Sequence, residues 1–168
     1  MPLRDTLARV DADLAVGRVP VARQRLRGLV SSFPNDLMLR RRLAEVYRLY
    51  REPAEAGRWM YLEEDRDAAE TGAFEARYRT APQRMRALAW QGPESFARTT
   101  FAREQLAAVR AACSHAVGRP VDWGAVPSDE KADGRGSAFG DFSAGAGCLV
   151  AILVLLALSV NGLVALFK

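Results

Sequence analysis

The sequence predicts an all-α fold, in which helix hairpins form one soluble domain, followed by a tether and a C-terminal membrane helix. Apolar residues recur three and four positions apart along residues 6–117, the spacing of helices that bury one face. No stretch alternates apolar and polar residues for long enough to predict a strand. Residues 145–167 contain no charged side chain, which is typical of a membrane span.

The first predicted hairpin joins a helix at residues 6–16 to a helix that Pro20 begins and Pro34 ends. Gly17 ends the first helix, because glycine is favoured just past a helix C-terminus. Short connections of this kind make neighbouring helices antiparallel. The apolar faces of these two helices are formed by Leu7, Val10, Leu14, Ala22, Leu26, Leu29, Val30 and Phe33.

The second predicted hairpin begins with Asn35 or Asp36 as the N-cap of a helix over residues 37–50. A break at residues 51–53 leads to its second helix. The core-facing residues of the pair are Leu39, Leu43, Val46, Tyr47, Tyr50, Ala56, Trp59, Met60 and Leu62. The side chains expected on the remaining surface of the first helix are Arg40, Arg41, Arg42 and Arg48.

Three further helical segments are predicted, at residues 67–78, at residues 82–90 and after Pro93. Their core candidates are Phe74, Tyr78, Met85, Leu88, Ala89, Phe96, Phe101, Leu106, Val109 and either Cys113 or Val117. Because helical repeats bury their faces only by stacking, this group is expected to cap the two hairpins. The soluble domain is predicted to span residues 1–119.

From Leu37 the chain resembles a tetratricopeptide repeat. Leu43 and Ala44 match its paired large and small positions, and Tyr47 matches its aromatic position. Ala56 and Met60 match the close-contact and large positions of its second helix. Arg40 stands in place of the usual Trp or Leu, and Arg51 in place of the turn glycine. Residues 22–34 resemble the second half of another repeat. The resemblance implies antiparallel helix hairpins.

Two longer segments resemble an uncharacterised actinobacterial protein family of unknown function. They are ARVDADLAVGRVPVARQRLRGLVSSFPNDL and RRRLAEVYRLYREPAEAGRWMYLEED. This resemblance covers roughly residues 5–123 and implies a domain that ends near Trp123. It brings no established activity to the chain.

The C-terminal part of the chain predicts a membrane tether. Residues 120–144 are rich in Gly, Ser, Asp and Ala, which is typical of a flexible linker. At about 1.5 Å per residue, residues 145–167 form a helix of roughly 35 Å, longer than a hydrocarbon core of about 30 Å. The N-terminus lacks the apolar run of a signal peptide, so we expect a single-pass protein whose N-terminal domain lies on the cytoplasmic face of the plasma membrane.

Small residues and one amide line part of the predicted membrane helix. Ala157, Asn161 and Ala165 follow one another at a spacing of four, and Gly162 adjoins them. Small side chains let two membrane helices approach closely, and an amide can hydrogen-bond between them. These residues therefore predict a helix contact within the bilayer, with simple anchoring as the alternative.

The sequence predicts no catalytic, cofactor or metal site. His115 is the only histidine, and Cys113 lies two residues earlier, on a different side of the same helix. The acidic run at residues 63–70 lacks a calcium-loop glycine and any His or Cys ligand. We therefore expect a protein that is not an enzyme and that uses no cofactor.

The favoured function is a membrane-tethered protein-interaction module, an adaptor or scaffold for an unknown protein or peptide. Its predicted partner contacts are Arg40, Arg41, Tyr47, Arg48 and Trp59. The alternative is a basic-surface binder of nucleic acid or anionic lipid, since the chain has 24 Lys and Arg residues against 20 acidic ones. Charge changes sign along the chain instead of concentrating in one arm, so nucleic acid is the less favoured partner.

Overall fold

The computed structural model describes residues 3–125, in which all the regular structure is helical. The helices are α1 (Leu3–Ala15), α2 (Val19–Ser32), α3 (Leu37–Leu49), α4 (Pro53–Met60), α5 (Ala68–Arg77), α6 (Ala81–Leu88) and α7 (Thr100–Val117), with a 3₁₀ helix at Glu94–Phe96 before α7. Each of the first four helices packs against the next one in sequence, while α6 packs against α7 and also contacts α4. The predicted all-α fold is confirmed.

Local sequence signals set most of the helix boundaries. Gly17 follows α1 with a φ of +73°, a left-handed conformation that glycine adopts without strain. Pro20 occupies the first turn of α2, where a missing backbone N–H costs nothing. The side chains of Asp36, Asp67 and Thr80 accept hydrogen bonds from first-turn N–H groups of α3, α5 and α6. Of the two N-caps predicted for α3, Asp36 is therefore the one used.

Arg51 completes the turn between α3 and α4. Its φ is +55°, in the left-handed region that costs a residue with a Cβ about 1 kcal/mol or more. The resemblance to tetratricopeptide repeats assigns this position to glycine, which has no such cost.

The buried apolar side chains form two clusters. The N-terminal cluster, from α1 to α4, contains Val10, Ala22, Leu26, Leu29, Val30, Leu39, Leu43, Ala44, Val46, Tyr47, Ala56, Trp59 and Met60. The C-terminal cluster contains Tyr61, Leu62, Phe74, Met85, Ala87, Leu88, Trp90, Ala97, Ala102, Leu106, Val109, Cys113, Val121 and Trp123. The helical spacing of apolar residues predicted nearly all of the N-terminal cluster and half of the C-terminal one, because one face of each helix is buried.

Three residues predicted to be in the core are instead exposed. Phe33 is 47% exposed and Phe96 is 61% exposed, and Ala89 is also at the surface. Each lies just outside an α-helix: Phe33 follows α2, Ala89 follows α6, and Phe96 belongs to the 3₁₀ helix that precedes α7. The spacing of 3.6 residues per turn fixes a side chain's face only inside the helix, so the prediction was wrong at these ends.

The packed chain continues beyond α7. Val121 and Trp123 are both buried in the C-terminal cluster. The backbone N–H of Val121 donates to Ser114 Oγ over 3.1 Å, and Trp123 Nε1 donates to Glu94 Oε1 over 3.1 Å. The predicted boundary between a domain ending at residue 119 and a linker starting at residue 120 therefore falls before the last packed side chains.

No helix within residues 3–125 has the length and apolar character needed to cross a bilayer. The predicted membrane helix at residues 145–167 lies outside the described residues, as does most of the predicted tether. The same holds for the predicted helix contact formed by Ala157, Asn161, Gly162 and Ala165.

Candidate functional site

A cleft of about 260 Å³ opens between α2, α4 and the segment that follows α6. Its lining side chains combine two guanidinium groups, hydroxyls, an amide and two aromatic rings, and none of those described is a carboxylate. They belong to Arg27, Val30, Ser31, Pro34, Tyr47, Arg58, Trp59, Ala89 and Gln91. We refer to this feature as the Tyr47–Trp59 cleft.

Tyr47 and Trp59 form the aromatic part of the cleft. Both are only 7% exposed, because most of each ring packs in the N-terminal cluster and the remainder borders the cleft. Burial raises the pKa of the Tyr47 phenol, and the nearby Glu55 carboxylate raises it further, against the opposing charges of Arg27 and Arg23. The phenol therefore stays protonated at neutral pH and can donate a hydrogen bond.

Arg58 is held against one wall of the cleft by three contacts. Its Nε donates to the carbonyl of Ala87 in the last turn of α6, and its Nη1 lies 3.3 Å from Glu55 Oε2. Its guanidinium carbon is 4.4 Å from the centre of the Trp59 ring, within the range of a cation–π contact. Arg58 is therefore a positioned charge whose hydrogen-bonding capacity is partly used.

Arg27 differs from Arg58 because it is exposed at the rim of the cleft. Within residues 3–125 it has no ion-pair partner and no hydrogen-bond partner. Its neighbour on α2, Arg25, pairs with Asp13 over 2.9 Å. Arg27 therefore contributes a positive charge to the cleft that no described carboxylate neutralises.

Arg40 lies behind Trp59, and the expectation that it is on the surface of α3 was wrong. It is 1% exposed. Its Nε donates to the carbonyl of Pro34 over 2.7 Å, and its Nη2 donates to the carbonyl of Leu88 over 2.8 Å. Its guanidinium carbon is 5.5 Å from the Trp59 ring centre and 5.7 Å from that of Trp90.

The physical reason for the burial of Arg40 is the end of α6. The last carbonyls of a helix lack intrahelical partners and carry partial negative charge, so they can accept from a cation. Burial, and secondarily the charge of Arg58, lower the pKa of Arg40 to about 9, which keeps it protonated at neutral pH. Arg40 thus takes the position that the repeat resemblance assigns to Trp or Leu, and it ties α3 to α6.

The structure places Arg41 and Arg48 away from the cleft, in ion pairs with the acidic run. Arg41 makes two hydrogen bonds to Asp65, of 2.6 and 2.8 Å, and one to Glu63 of 3.1 Å. Arg48 makes two hydrogen bonds to Glu70, of 2.6 and 2.7 Å. Glu63, Asp65 and Glu70 are therefore paired with arginines of α3, in the solvated pairing that the mixed charges permit.

Of the five predicted partner contacts, the cleft brings together Tyr47 and Trp59, with Arg40 behind them. The sequence did not single out Gln91. The position of Gln91 is fixed by two hydrogen bonds to a distant residue. Asn35 Nδ2 donates to the carbonyl of Gln91 over 2.6 Å, and the backbone N–H of Gln91 donates to Asn35 Oδ1 over 3.1 Å. An amide that joins residues 56 positions apart leaves no signal in local sequence patterns.

The chain matches a family model over residues 1–168, and the family is described as a family of unknown function, DUF6584. The chain belongs to that family. The expected membership of a family of unknown function is thereby confirmed, and the helical fold is compatible with helical repeats. No curated protein and no solved structure matches the chain.

Candidate metal ligands do not converge in the part of the chain that the structure describes. Within residues 3–125 no three His, Cys, Asp or Glu side chains are placed to hold a metal ion. Cys113 is buried in the C-terminal cluster, whereas His115 is exposed in the last turn of α7. The Tyr47–Trp59 cleft is therefore the feature on which a functional argument rests.

Proposed function

We propose that the protein is a non-enzymatic interaction module whose helical domain binds a segment of a partner protein in the Tyr47–Trp59 cleft. We also propose that residues 145–167, which contain no charged residue, hold this domain on the cytoplasmic face of the plasma membrane. Holding a partner at the membrane raises its local concentration there. The cleft itself, where two aromatic rings lie beside two arginines, is the observation that carries the proposal.

The composition and rigidity of the cleft support protein recognition. Tyr, Trp and Arg are the side chains that most often dominate binding energy at protein interfaces. Tyr47 and Trp59 are packed in the N-terminal cluster, and Arg58 is fixed by Ala87 and Glu55, so little conformational entropy is lost on binding. A volume of about 260 Å³ suits a few side chains of a peptide.

The proposal also includes the finer assignment of α1–α4 as two tetratricopeptide-like hairpins. The matching positions of the second hairpin, Leu43, Ala44, Tyr47, Ala56 and Met60, are all buried. Arg51 adopts the left-handed conformation at the position of the turn glycine. Helical repeats of this kind commonly receive a peptide or a partner helix.

The pairing of the arginines favours a protein partner over nucleic acid or anionic lipid. Arg41 and Arg48 are bound by carboxylates of the acidic run, and Arg42 pairs with Asp11. A phosphate would have to displace these carboxylates before it could use the charge of α3. The alternative function therefore loses the arginine-rich stretch on which it depends.

Site-specific photocrosslinking in membranes tests the proposal. A photoreactive amino acid replaces Gln91, which is exposed at the cleft, or Arg103, an exposed residue of α7 outside it. We expect a partner to crosslink from position 91 and not from position 103, and the yield to fall when Arg27→Glu is added. Equal yields of the same proteins from both positions would rule out the cleft as the binding site.

Cell fractionation tests the membrane part separately. The full chain should sediment with membranes, and a chain that ends at Ser143 should be soluble. Recovery of the full chain in the soluble fraction would contradict the membrane part of the proposal, but it would not bear on partner binding in the cleft.

A further inference from the structure

The side chains of the Tyr47–Trp59 cleft are rich in hydrogen-bond donors and positive charge. Arg27 and Arg58 are permanently charged donors, and the hydroxyls of Tyr47 and Ser31 can donate. No carboxylate of the described residues lines the cleft; Glu55 pairs with Arg58 from outside it, whereas Arg27 has no such partner. A ligand that complements this surface supplies acceptors and negative charge.

The charge of Arg27 is the part of this surface that is free to bind. Arg25, Arg41, Arg42 and Arg48 each pair with a carboxylate. Arg27 lies at the rim of the cleft without any such partner within residues 3–125. An arginine fork forms two parallel hydrogen bonds to a carboxylate, so Arg27 can bind one without breaking an existing pair.

Trp59 provides a second and independent observation. Its side chain lines the cleft and is largely buried, and its Nε1–H has no acceptor in the part of the chain that the structure describes. Buried indole N–H groups usually have a partner, so the Trp59 Nε1–H is an unused donor in the wall of the cleft, with less than 1 Å² of the nitrogen exposed. The cation and the unmatched donor thus favour the same ligand chemistry.

A second groove adjoins the cleft at Pro34, which lines both. The groove has a volume of about 370 Å³, and it is bordered by Phe33 and Phe96, two of the large apolar side chains that remain exposed, together with the polar Ser32, Asn35, Asp36 and Arg98. Because the exposed aromatic surface begins where the charged cleft ends, a ligand can contact both only if apolar and acidic groups lie close together in it. An extended peptide has this arrangement.

We propose that the cleft recognises an acidic peptide segment, in which an Asp or Glu carboxylate binds Arg27 beside the Tyr47 and Trp59 donors and a neighbouring apolar side chain packs on Phe33 and Phe96. This inference rests on the proposed function, because it assigns ligand chemistry to the same cleft. It adds what the partner must carry: a carboxylate with an apolar residue close to it in sequence.

The test uses the full chain in detergent micelles and an array of acetylated hexapeptides. Each peptide has Glu at one fixed position and varied neighbours, and each has a counterpart in which Gln replaces that Glu. Peptides that bind are then measured by fluorescence anisotropy. We expect the best Glu peptides to carry an adjacent apolar residue and to bind about tenfold more tightly than their Gln counterparts.

Two variants locate this preference on the protein. Arg27→Gln, at an exposed residue without partners, should reduce the preference for Glu over Gln to about twofold or less and leave the melting temperature unchanged. Arg103→Gln removes the same charge from α7, outside the cleft, and should leave the preference intact. A preference that survives Arg27→Gln would overturn the inference.

The remaining outcomes also decide the inference. Equal binding of Glu and Gln peptides overturns the carboxylate assignment, and crosslinking from position 91 then still tests the interaction function. An array without binding peptides also overturns it. Inorganic phosphate and phosphatidylserine vesicles are tested as other sources of an anion. Tighter binding of either one than of the best peptide, lost in Arg27→Gln, would overturn the peptide assignment.

Discussion

Arg40 and Arg41 are consecutive residues of α3 that lie in opposite environments. Arg40 is buried, and backbone carbonyls and two tryptophan rings surround its charge. Arg41 is partly exposed, and two carboxylates bind its charge. A buried guanidinium needs its donors matched at fixed positions, whereas an exposed one is also solvated by water.

The two arginines therefore join different parts of the domain. Arg40 connects α3, in the N-terminal cluster, to the carbonyl of Leu88 in the C-terminal cluster. Arg41 connects α3 to the loop between α4 and α5. Because a buried connection has no water to replace it, we expect the stability of the domain to depend far more on Arg40 than on Arg41.

The largest expected effect is that of Arg40→Ala. It leaves a cavity and removes the donors that the Pro34 and Leu88 carbonyls use, which we expect to lower the free energy of unfolding by about 3–5 kcal/mol. Urea denaturation measures the change. Arg40→Met, which fills the volume without the donors, should lose less. A loss for Arg40→Ala no larger than that for Arg41→Ala would break the comparison.

The next effect concerns the α4–α5 contact, on the side of α3 where Arg48 binds Glu70. A Cβ on Gly57 of α4 would lie 2.0 Å from the backbone oxygen of Glu70, so the two helices approach closely there. Gly57→Ala should force α5 outward and cost about 2–3 kcal/mol in urea denaturation. Gly72→Ala on α5 is the control, because open space surrounds it, and it should stabilise the domain by about 0.5–1 kcal/mol.

The smallest effect is that of Arg41→Ala, which should cost about 1 kcal/mol or less at pH 7 because the pair is solvated. This cost should also depend on pH. The hydrogen bond from Arg41 holds the pKa of Asp65 in the folded protein below its ordinary value of 3.8. The stabilisation by this pair is therefore present above the ordinary pKa and is lost as the pH falls through the lower pKa of the folded state.

At pH 2.5, urea denaturation should therefore show a smaller cost for Arg41→Ala than at pH 7, while the cost of Arg40→Ala remains. Carbonyl acceptors do not titrate, so acid leaves the partners of Arg40 unchanged. An Arg41→Ala cost that is independent of pH would show that the carboxylates contribute nothing to it.

Much of the helical domain follows from short-range sequence information. Asp36, Pro20 and Gly17 act on backbone groups within one turn of themselves, so their effects are predictable from the sequence alone. The buried position of Arg40 is not, because its acceptor at Leu88 lies 48 residues away. Hydrophobicity alone assigns a guanidinium to the surface, and only the folded chain brings the end of α6 to it.

The candidate site shows the same division. The sequence predicted Tyr47 and Trp59 as partner contacts, because aromatic side chains on helical repeats suggest a binding surface. It did not separate Arg27, which is free to bind, from Arg41 and Arg48, which carboxylates already occupy. Which arginine is paired depends on contacts between distant residues, and local charge patterns contain no such information.

The burial of Trp123 has a mechanical consequence for the end of α7. Within residues 3–125 this indole is the last buried side chain, and it is packed in the C-terminal cluster and bonded to Glu94, itself paired with Arg110. A pulling force applied at residue 125 would therefore act first on a side chain wedged into the core instead of on the last turn of α7, and the helix would be shielded from unwinding until the tryptophan is pulled out.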